Sequence, residues 1–283
     1  KVLDDGGRAT GQTATYRAKV VVAADGVSSR LATAVGRPKR EDRVMGVAVR
    51  AYYTTPRRDD YLESHLELWT TDDNGQRMLM PGYGWLFPLE DGRTNVGLGI
   101  LDTSSAFGKT DYKDVLRRWA DSLGDRWELA HDPAGGPIRG AALPMGFNRT
   151  PLYADGLLLV GDAAGMVNPF NGEGIDYALE AARVGADVIG QALARPSDAG
   201  RERVLAAYPR IMKAELGGYF TLGRWFAHAI GNPEVMRLAT TYGLPRTALM
   251  RFLLKVMANL PEEHGGRFDD RLVHLMSRIA PDA

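Results

Sequence analysis

The 283-residue sequence contains no cysteine, and this absence removes several kinds of chemistry. Without a thiol the chain has no disulfide, no thiol nucleophile, no zinc thiolate site and no cysteine-ligated iron–sulfur cluster. Its first residues also lack the pattern of a secretory signal. Both absences favour a cytoplasmic location, where thiols are kept reduced and disulfides are rare.

Net charge and long apolar runs are missing as well. The 35 basic side chains equal the 35 acidic ones in number, so the formal net charge is zero. Charge therefore gives no argument for a nucleic-acid partner, and we expect none. No apolar run reaches the roughly 18 residues that a transmembrane helix requires. The length predicts about two globular domains of roughly 150 residues each.

The polar residues show no pattern of a metal site or of a serine hydrolase. The histidines lack the spacing of metal ligands, so we expect no metal site. No Gly-x-Ser-x-Gly motif marks a nucleophilic serine. The catalytic residue therefore stays unassigned. The five histidines are His65, His131, His228, His264 and His274.

Glycine, by contrast, is abundant. It accounts for 33 of the 283 residues, whereas an average protein has roughly 7%. Some of these glycines must lie where the backbone closely approaches another segment or a ligand.

Two short apolar runs predict buried parallel strands. The first covers 20–24 and leads into Asp25-Gly26, and the second covers 156–160 and leads into Gly161-Asp162. A long helix is predicted from about Ile175 to Leu193. The apolar residues with helical spacing in it are Ile175, Ala178, Leu179, Ala182 and Ile189.

The region between these two runs has a different pattern. Segments rich in β-branched and aromatic residues predict strands at Met45–Tyr53, Ser64–Trp69 and Val96–Ile100, separated by Gly- and Asp-rich turns. The alternation in His65–Leu68 is typical of an antiparallel sheet with one solvated face. An amphipathic helix is predicted from Asp111 to Leu123.

These patterns predict an α/β fold, α+β overall, in which one domain is divided by an insertion. The α/β domain comprises 1–40 and 151–195, and a β-rich substrate-binding domain comprises 41–150. A helical C-terminal region covers 196–283. The chain opens on strand-like residues, as if partway through a domain.

The segment from Gly161 to Ile175 has the strongest local signal for a binding site. A buried strand delivers Asp162 to its carboxyl end, where ligands of open α/β sheets bind. Small residues follow, and a helix then begins near Gly174 with free N–H groups that favour an anion. A carboxylate for a hydroxyl group and a helix N-terminus for negative charge are typical of a nucleotide or flavin site. The alternative is a Gly-rich turn whose aspartate caps a helix.

This segment resembles the second FAD motif of the geranylgeranyl reductase family of FAD-dependent oxidoreductases, in the flavoprotein monooxygenase-like superfamily. Within that family the chain looks most similar to the actinobacterial menaquinone reductases. The resemblance implies that Asp162 holds the ribitol or pyrophosphate part of FAD. It also implies that backbone N–H groups of 169–175 stabilise negative charge at the flavin's pyrimidine edge. The implied cofactor residues here are Gly161, Asp162, Ala163, Pro169, Gly172, Glu173, Gly174 and Ile175.

Two further segments resemble family motifs. The stretch 20–30, with Asp25 and Gly26, is similar to the Asp-Gly motif near the FAD pyrophosphate, although Asp-Gly is also common in plain turns. The stretch 81–88 is similar to the Tyr-x-Trp-x-Phe-Pro signature, whose aromatic residues line the isoprenoid pocket. Side chains alternate along a strand, so Tyr83, Trp85 and Phe87 should point to one side. A plain core stripe of aromatic residues is the alternative.

One family motif is absent from this chain. The family begins with a βαβ unit that carries Gly-x-Gly-x-x-Gly and places the pyrophosphate at a helix N-terminus. No such motif follows a strand here, and Gly97-Leu98-Gly99 lacks the third glycine and leads into no helix. The chain thus matches the later part of the family. This difference leaves open whether the chain alone binds FAD.

The C-terminal region predicts a cationic amphipathic helix. Arg251 and Lys255 lie opposite its apolar face, and such a helix either packs on its own domain or lies in a membrane interface. The apolar face comprises Leu249, Phe252, Leu253, Val256, Met257 and Leu260.

The resemblance implies an FAD-dependent reductase that saturates a C=C bond of a polyprenyl chain, and the expected substrate is the isoprenoid side chain of menaquinone. The expected partners are that lipid, an unidentified electron donor and a peripheral contact with the inner face of the cell membrane. Two alternatives remain. One is an FAD-dependent hydroxylase or epoxidase of an apolar substrate. The other is a non-catalytic, truncated lipid-binding fragment.

Overall fold

The computed structural model describes residues 2–71, 74–80, 82–105, 107–130, 133, 136–259 and 280. Leu260 and the rest of the predicted helical tail, apart from residue 280, lie outside the described residues, as do His131, His264 and His274.

The described residues form ten strands and eight α-helices, with most strands in the first half of the chain and the long helices in the second. The strands are β1 (Val21–Ala23), β2 (Met45–Thr54), β3 (Glu63–His65), β4 (Leu68–Thr71), β5 (Arg77–Met80), β6 (Gly82–Pro88), β7 (Arg93–Leu101), β8 (Arg139–Pro144), β9 (Tyr153–Ala154) and β10 (Leu157–Leu159). The helices are α1 (Arg30–Ala34), α2 (Tyr112–Ser122), α3 (Gly124–Trp127), α4 (Ile175–Leu193), α5 (Asp198–Leu205), α6 (Tyr208–Ile230), α7 (Pro233–Leu238) and α8 (Thr247–Met257). A 3-10 turn covers Gly161–Ala163, and a π-helix covers Ala239–Gly243.

The predicted parallel pair of strands is present. β1 pairs in parallel with β10, and β9 completes a three-stranded sheet in the order β1-β10-β9. All three residues of β10 are buried, as predicted. The prediction for the first strand was wrong in part, because Val21 and Val22 are 43% and 42% exposed. β1 is an edge strand here, and Ala23 is its one buried residue.

Helix α4 begins and ends where the apolar spacing predicted. Its buried side is a different one, however, since Ile175 and Leu179 are 80% and 69% exposed. Two sets of apolar residues satisfy helical spacing in this helix, and the set that includes Tyr177 faces the core beneath α6. The buried residues of α4 are Tyr177, Ala181, Val184, Gly185, Val188 and Ala192.

The inserted region forms a five-stranded antiparallel sheet in the order β3-β6-β7-β2-β8, which confirms the predicted class. Helix α2 packs on it through Val115 and Leu116, with Asp111 as its N-cap. The predicted strand Ser64–Trp69 is wrong as a single strand. β3 pairs with β6, whereas β4 pairs with β5 in a separate two-stranded sheet. The alternation of apolar and polar residues continues through this segment, so it does not show that the two halves pair with different strands.

The C-terminal helices share a core with the α/β layer. Tyr208 and Phe220 of α6 and Val256 of α8 lie in the same buried cluster as β10 and α4. A second cluster fills the space between the five-stranded sheet and α2. A small third cluster joins residues from several segments: Val44, Leu101, Met145, Val167 and Ala227. The division into domains at 40, 150 and 195 remains a prediction.

Glycines of β7 make room for one indole ring. Trp85 of β6 lies directly opposite Gly97, and a methyl group at Gly97 would overlap its six-membered ring. At Gly99, two residues further along the same side of β7, a methyl group would lie 3.9 Å from Trp85, at ordinary contact distance. The abundance of glycine thus has a local cause here, because the indole lies flat across the strand.

The substitution Gly97→Ala should destabilise the fold by about 1–3 kcal/mol, since the indole has to move out of a packed position. Gly99→Ala is the matched control on the same strand and should change the free energy of unfolding by less than about 0.5 kcal/mol. Urea unfolding followed by tryptophan fluorescence measures both. Equal effects of the two substitutions would contradict the packing described.

Candidate functional site

Three aromatic side chains of β6 form a wall on one side of the five-stranded sheet. The ring centroids of Tyr83 and Trp85 lie 5.6 Å apart, and those of Trp85 and Phe87 lie 6.1 Å apart. The indole Nε1 of Trp85 donates a hydrogen bond to Oδ1 of Asn95, at 3.2 Å. This arrangement confirms that the three side chains point to the same side.

The wall borders a large apolar cavity of about 710 Å³. The segment from Pro169 to Ile175 lines another part of the cavity. Its third part comes from the C-terminal helices, through Phe226, Met236, Leu249, Leu253, Met257 and neighbouring residues. The cavity thus joins the sheet, the loop before α4 and the helical region.

This cavity accounts for much of the apolar face predicted for the C-terminal helix. Leu249, Leu253 and Met257 line it, while Val256 is buried in the core and Phe252 packs against that core. Part of the face therefore packs on the protein itself, whereas Leu249 is 47% exposed, so a membrane contact stays a prediction. Leu260, the last member of the predicted face, lies outside the described residues.

A buried asparagine, which the sequence did not single out, holds the loop before α4. Oδ1 of Asn168 accepts a hydrogen bond from the backbone N–H of Phe170, at 2.9 Å. Its Nδ2 lies 3.2 Å from the hydroxyl of Tyr177 and 3.1 Å from that of Tyr219. It also donates to the backbone oxygen of Met257 in α8. In the sequence, the one feature that could have pointed to Asn168 is that it is a polar residue in a Gly- and Pro-rich loop.

The loop uses several of its own N–H groups. Those of Phe170, Gly172 and Glu173 donate to Asn168 or Asn171 within the loop. The N–H groups of Asn171, Gly174 and Ile175 have no acceptor among the described residues. The donors left for a ligand are therefore fewer than the prediction for 169–175 implied. They lie at the start of α4, where Gly174 provides no side-chain cap.

Tyr83 connects the aromatic wall to this loop. Its hydroxyl donates a hydrogen bond to the backbone oxygen of Asn171, at 2.9 Å. Burial, with a smaller contribution from the negative charge of Glu173, raises the pKa of Tyr83 to about 12. Tyr83 is therefore protonated at neutral pH. Glu173 is exposed, and its carboxylate accepts a hydrogen bond from Nδ2 of Asn171, which fits a role in the loop itself.

Asp162 lies at the carboxyl end of β10, beside the N-terminus of α4. A methyl group placed on Gly174 would be 3.4 Å from its Oδ1. Burial raises the pKa of Asp162, and no described residue donates a hydrogen bond to its carboxylate. A half-buried carboxylate without a donor, next to uncapped N–H groups, fits a ligand that carries hydroxyl groups.

Asp25 has a local partner for each carboxylate oxygen. Oδ1 accepts a hydrogen bond from the hydroxyl of Ser29 at 2.7 Å, and Oδ2 accepts one from the N–H of Leu31 at 3.1 Å. Burial raises the pKa of Asp25, but these hydrogen bonds outweigh burial and lower it overall. Gly26 has a positive φ of 72°. Asp25 and Gly26 thus build the turn before α1, and a cofactor contact for them remains a prediction.

Comparison with known proteins places the chain in a family. The FAD binding domain profile matches residues 5–211. A menaquinone reductase of Mycolicibacterium smegmatis is 32% identical over 260 residues, which cover 92% of this chain and 59% of that protein. A digeranylgeranylglycerophospholipid reductase of Methanocaldococcus jannaschii is 30% identical over 257 residues, 89% of this chain and 62% of that protein. The chain thus spans about three fifths of the length of these relatives.

A solved structure has the same fold. A geranylgeranyl bacteriochlorophyll reductase-like protein from Thermoplasma acidophilum superposes with a TM-score of 0.63, at 19% identity, covering 92% of this chain and 62% of that one. The chain belongs to the family of FAD binding domains, as the resemblance implied. These groups fit FAD as a ligand. The free carboxylate of Asp162 can accept hydrogen bonds from hydroxyl groups, and the free N–H groups at the start of α4 can donate to negatively charged atoms.

Two other properties concern metals and membranes. In the described part of the chain no three His, Asp or Glu side chains come together as a possible metal site. Within the same residues, no helix has both the length and the apolar character needed to span a bilayer.

The substitution Asp162→Asn should stabilise the chain at pH 7 when no ligand is bound. Because burial raises the pKa of Asp162 in the folded state, its ionised form opposes folding. That opposition is absent below the unfolded pKa of about 4 and grows as the pH rises through the folded pKa. The variant should therefore unfold at a higher temperature than the parent at pH 7. The difference between the two midpoints should become smaller as the pH falls to 4. A variant with the lower midpoint at pH 7 would contradict this reading of the carboxylate.

Proposed function

We propose that the protein is an FAD-dependent reductase that saturates a C=C bond in a polyprenyl chain, specifically the isoprenoid side chain of menaquinone. The main support is the position of the cavity. A large apolar space lies between the aromatic wall of β6 and the loop that leads into α4. An apolar chain in this space would meet the segment assigned to the flavin.

The relatives support the choice of substrate. Those named above are reductases of menaquinone and of a digeranylgeranyl lipid. Both names describe lipids, and a cavity lined by aromatic, leucine and methionine side chains suits an apolar chain. Because the chain spans only part of these relatives, the activity is proposed for the protein to which these residues belong.

The residues present contribute placement and exclusion of water. Bound FAD in its reduced form would supply a hydride to one alkene carbon, and the other carbon would take a proton from a donor that is not assigned. Tyr83, Trp85 and Phe87 would hold the alkene in a dry environment, where charge interactions are stronger than in water. Asp162 would hold the cofactor by accepting hydrogen bonds from its hydroxyl groups. Free N–H groups of Asn171, Gly174 and Ile175 would favour negative charge beside the loop.

An FAD binding measurement followed by anaerobic turnover tests the function. The purified chain should bind FAD, and Asp162→Asn should raise its Kd about tenfold because a charged acceptor is lost. Asp187→Asn, an exposed change on α4, is the control. With dithionite and a polyprenyl menaquinone, the expected product carries two more hydrogen atoms on its side chain, as read by mass spectrometry.

Three results would count against the proposal. No FAD binding by the parent chain would favour a non-catalytic fragment. An absolute requirement for oxygen would favour a hydroxylase or epoxidase. An equal Kd in the Asp162 variant would reject the role assigned to that carboxylate.

We also propose that the surface at the cavity entrance docks on an anionic bilayer. This entrance surface comprises exposed apolar residues of α7, the π-helix, the turn that follows it and α8: Val235, Leu238, Tyr242, Leu244, Leu249 and Leu254. Leu244 and Leu249 also line the cavity, so the surface adjoins its opening. The segment 233–257 carries four basic residues and one acidic residue. Apolar and cationic residues together favour an anionic membrane interface.

Vesicle flotation tests this surface. Leu254→Glu places a charge where the apolar side chain is 57% exposed, and should reduce binding to phosphatidylglycerol vesicles several-fold. Leu193→Glu, at the end of α4 and 46% exposed, is the control and should leave binding unchanged. Equal binding of the two variants would show that lipid does not contact α8.

A further inference from the structure

Half of the unsatisfied buried polar atoms belong to one region whose residues do not line the cavity. Six buried side-chain nitrogen or oxygen atoms in the described residues have no hydrogen-bond partner. Three of the six belong to the region where 40–43 and Asn148 meet α6, and two of these three are guanidinium nitrogens. The three are Nε of Arg43, Oδ1 of Asn148 and Nη1 of Arg224. Buried donors without an acceptor are rare in folded proteins.

Two arginines of this region share one carboxylate. Nη2 of Arg40 lies 2.6 Å from Oδ2 of Asp42, and Nη1 of Arg43 lies 3.1 Å from the same oxygen. The backbone N–H of Arg40 donates to the oxygen of Asn148, which fixes this segment against 148–149. Asp42 therefore neutralises one of the two positive charges.

Arg224 of α6 brings a third positive charge to the same place. Its side-chain carbons Cγ and Cδ lie beside Gly146, and its Nη2 donates to Oγ1 of Thr221 at 2.9 Å. Burial and the charges of Arg43 and Arg40 lower the pKa of Arg224 to about 10, against a smaller opposite effect of Asp42. Three guanidinium groups thus face one carboxylate, and a buried charge without a partner is unfavourable.

We propose that Arg40, Arg43 and Arg224 form a binding site for a phosphate-type oxyanion. Such an anion has acceptors for Nε of Arg43 and Nη1 of Arg224 at once, and guanidinium groups suit its geometry. The site is open to solvent through Arg40 and Asp42, whose side chains are 35% and 59% exposed.

None of the three arginines lines the apolar cavity. Phe226 and Ile230 of α6 line the cavity. Arg224 is two residues before Phe226, which at about 100° per residue places it on the far side of the helix. A bound anion would tie α6 to the segment that leads into β2. The source of the phosphate is either a free ion or the headgroup of a lipid.

Phosphate titration of the purified chain tests the site. At constant ionic strength, sodium phosphate should raise the midpoint of thermal unfolding in a saturable way, while sodium chloride should not. By calorimetry, Arg224→Gln should raise the Kd for inorganic phosphate at least about tenfold. Arg210→Gln, an exposed change on the same helix, should leave it unchanged. Glycerol 1-phosphate serves as a soluble headgroup probe, and tighter binding than inorganic phosphate would identify a lipid source.

A second variant keeps the test decisive. Arg40→Gln removes a partly exposed side chain and should also weaken phosphate binding if Arg224→Gln fails to fold. The proposal is overturned if phosphate and chloride shift the midpoint equally, or if both variants keep the parent's Kd.

Discussion

The amide side chain of Asn168 is the interaction on which the site depends most. It joins the loop after β10 to α4 through Tyr177, to α6 through Tyr219 and to α8 through the backbone of Met257. All of these groups are buried or nearly so, where an unpaired amide is unfavourable. One side chain therefore sets where three helices meet the loop, and with them the shape of the cavity.

The aromatic wall is held by close packing, whereas other parts of the molecule hold charged groups that lack full hydrogen-bond partners. Trp85, the middle residue of the aromatic wall, rests on Gly97 of the neighbouring strand, so its ring is held by contact. Asp162 and the arginines around Arg224 are instead held without full partners. Half-buried groups of this kind are stable only when the rest of the fold offsets them, which is why they point to ligands.

Much of the fold followed from local patterns. The limits of α4, the capped helix α2, the parallel pair β1 and β10, and the shared direction of the three aromatic side chains all match their predictions. The family followed from two motifs, and the profile match confirms it. The roles of Asn168 and Arg224 could not be predicted, because Asn168 meets Tyr219 and Met257, and Arg224 meets the charges of 40–43, across long stretches of sequence that no local pattern connects.

The sequence by itself determined the types of element and their order, since periodicity and turn residues act over a few neighbouring positions. Only the tertiary structure decided which of two apolar faces of α4 is buried, and that two partner strands divide the segment from Ser64 to Trp69. It also decided that the apolar face of α8 lines a cavity. Burial and strand pairing depend on segments far away in the chain, and hydrophobic attraction has no direction that a local pattern could encode.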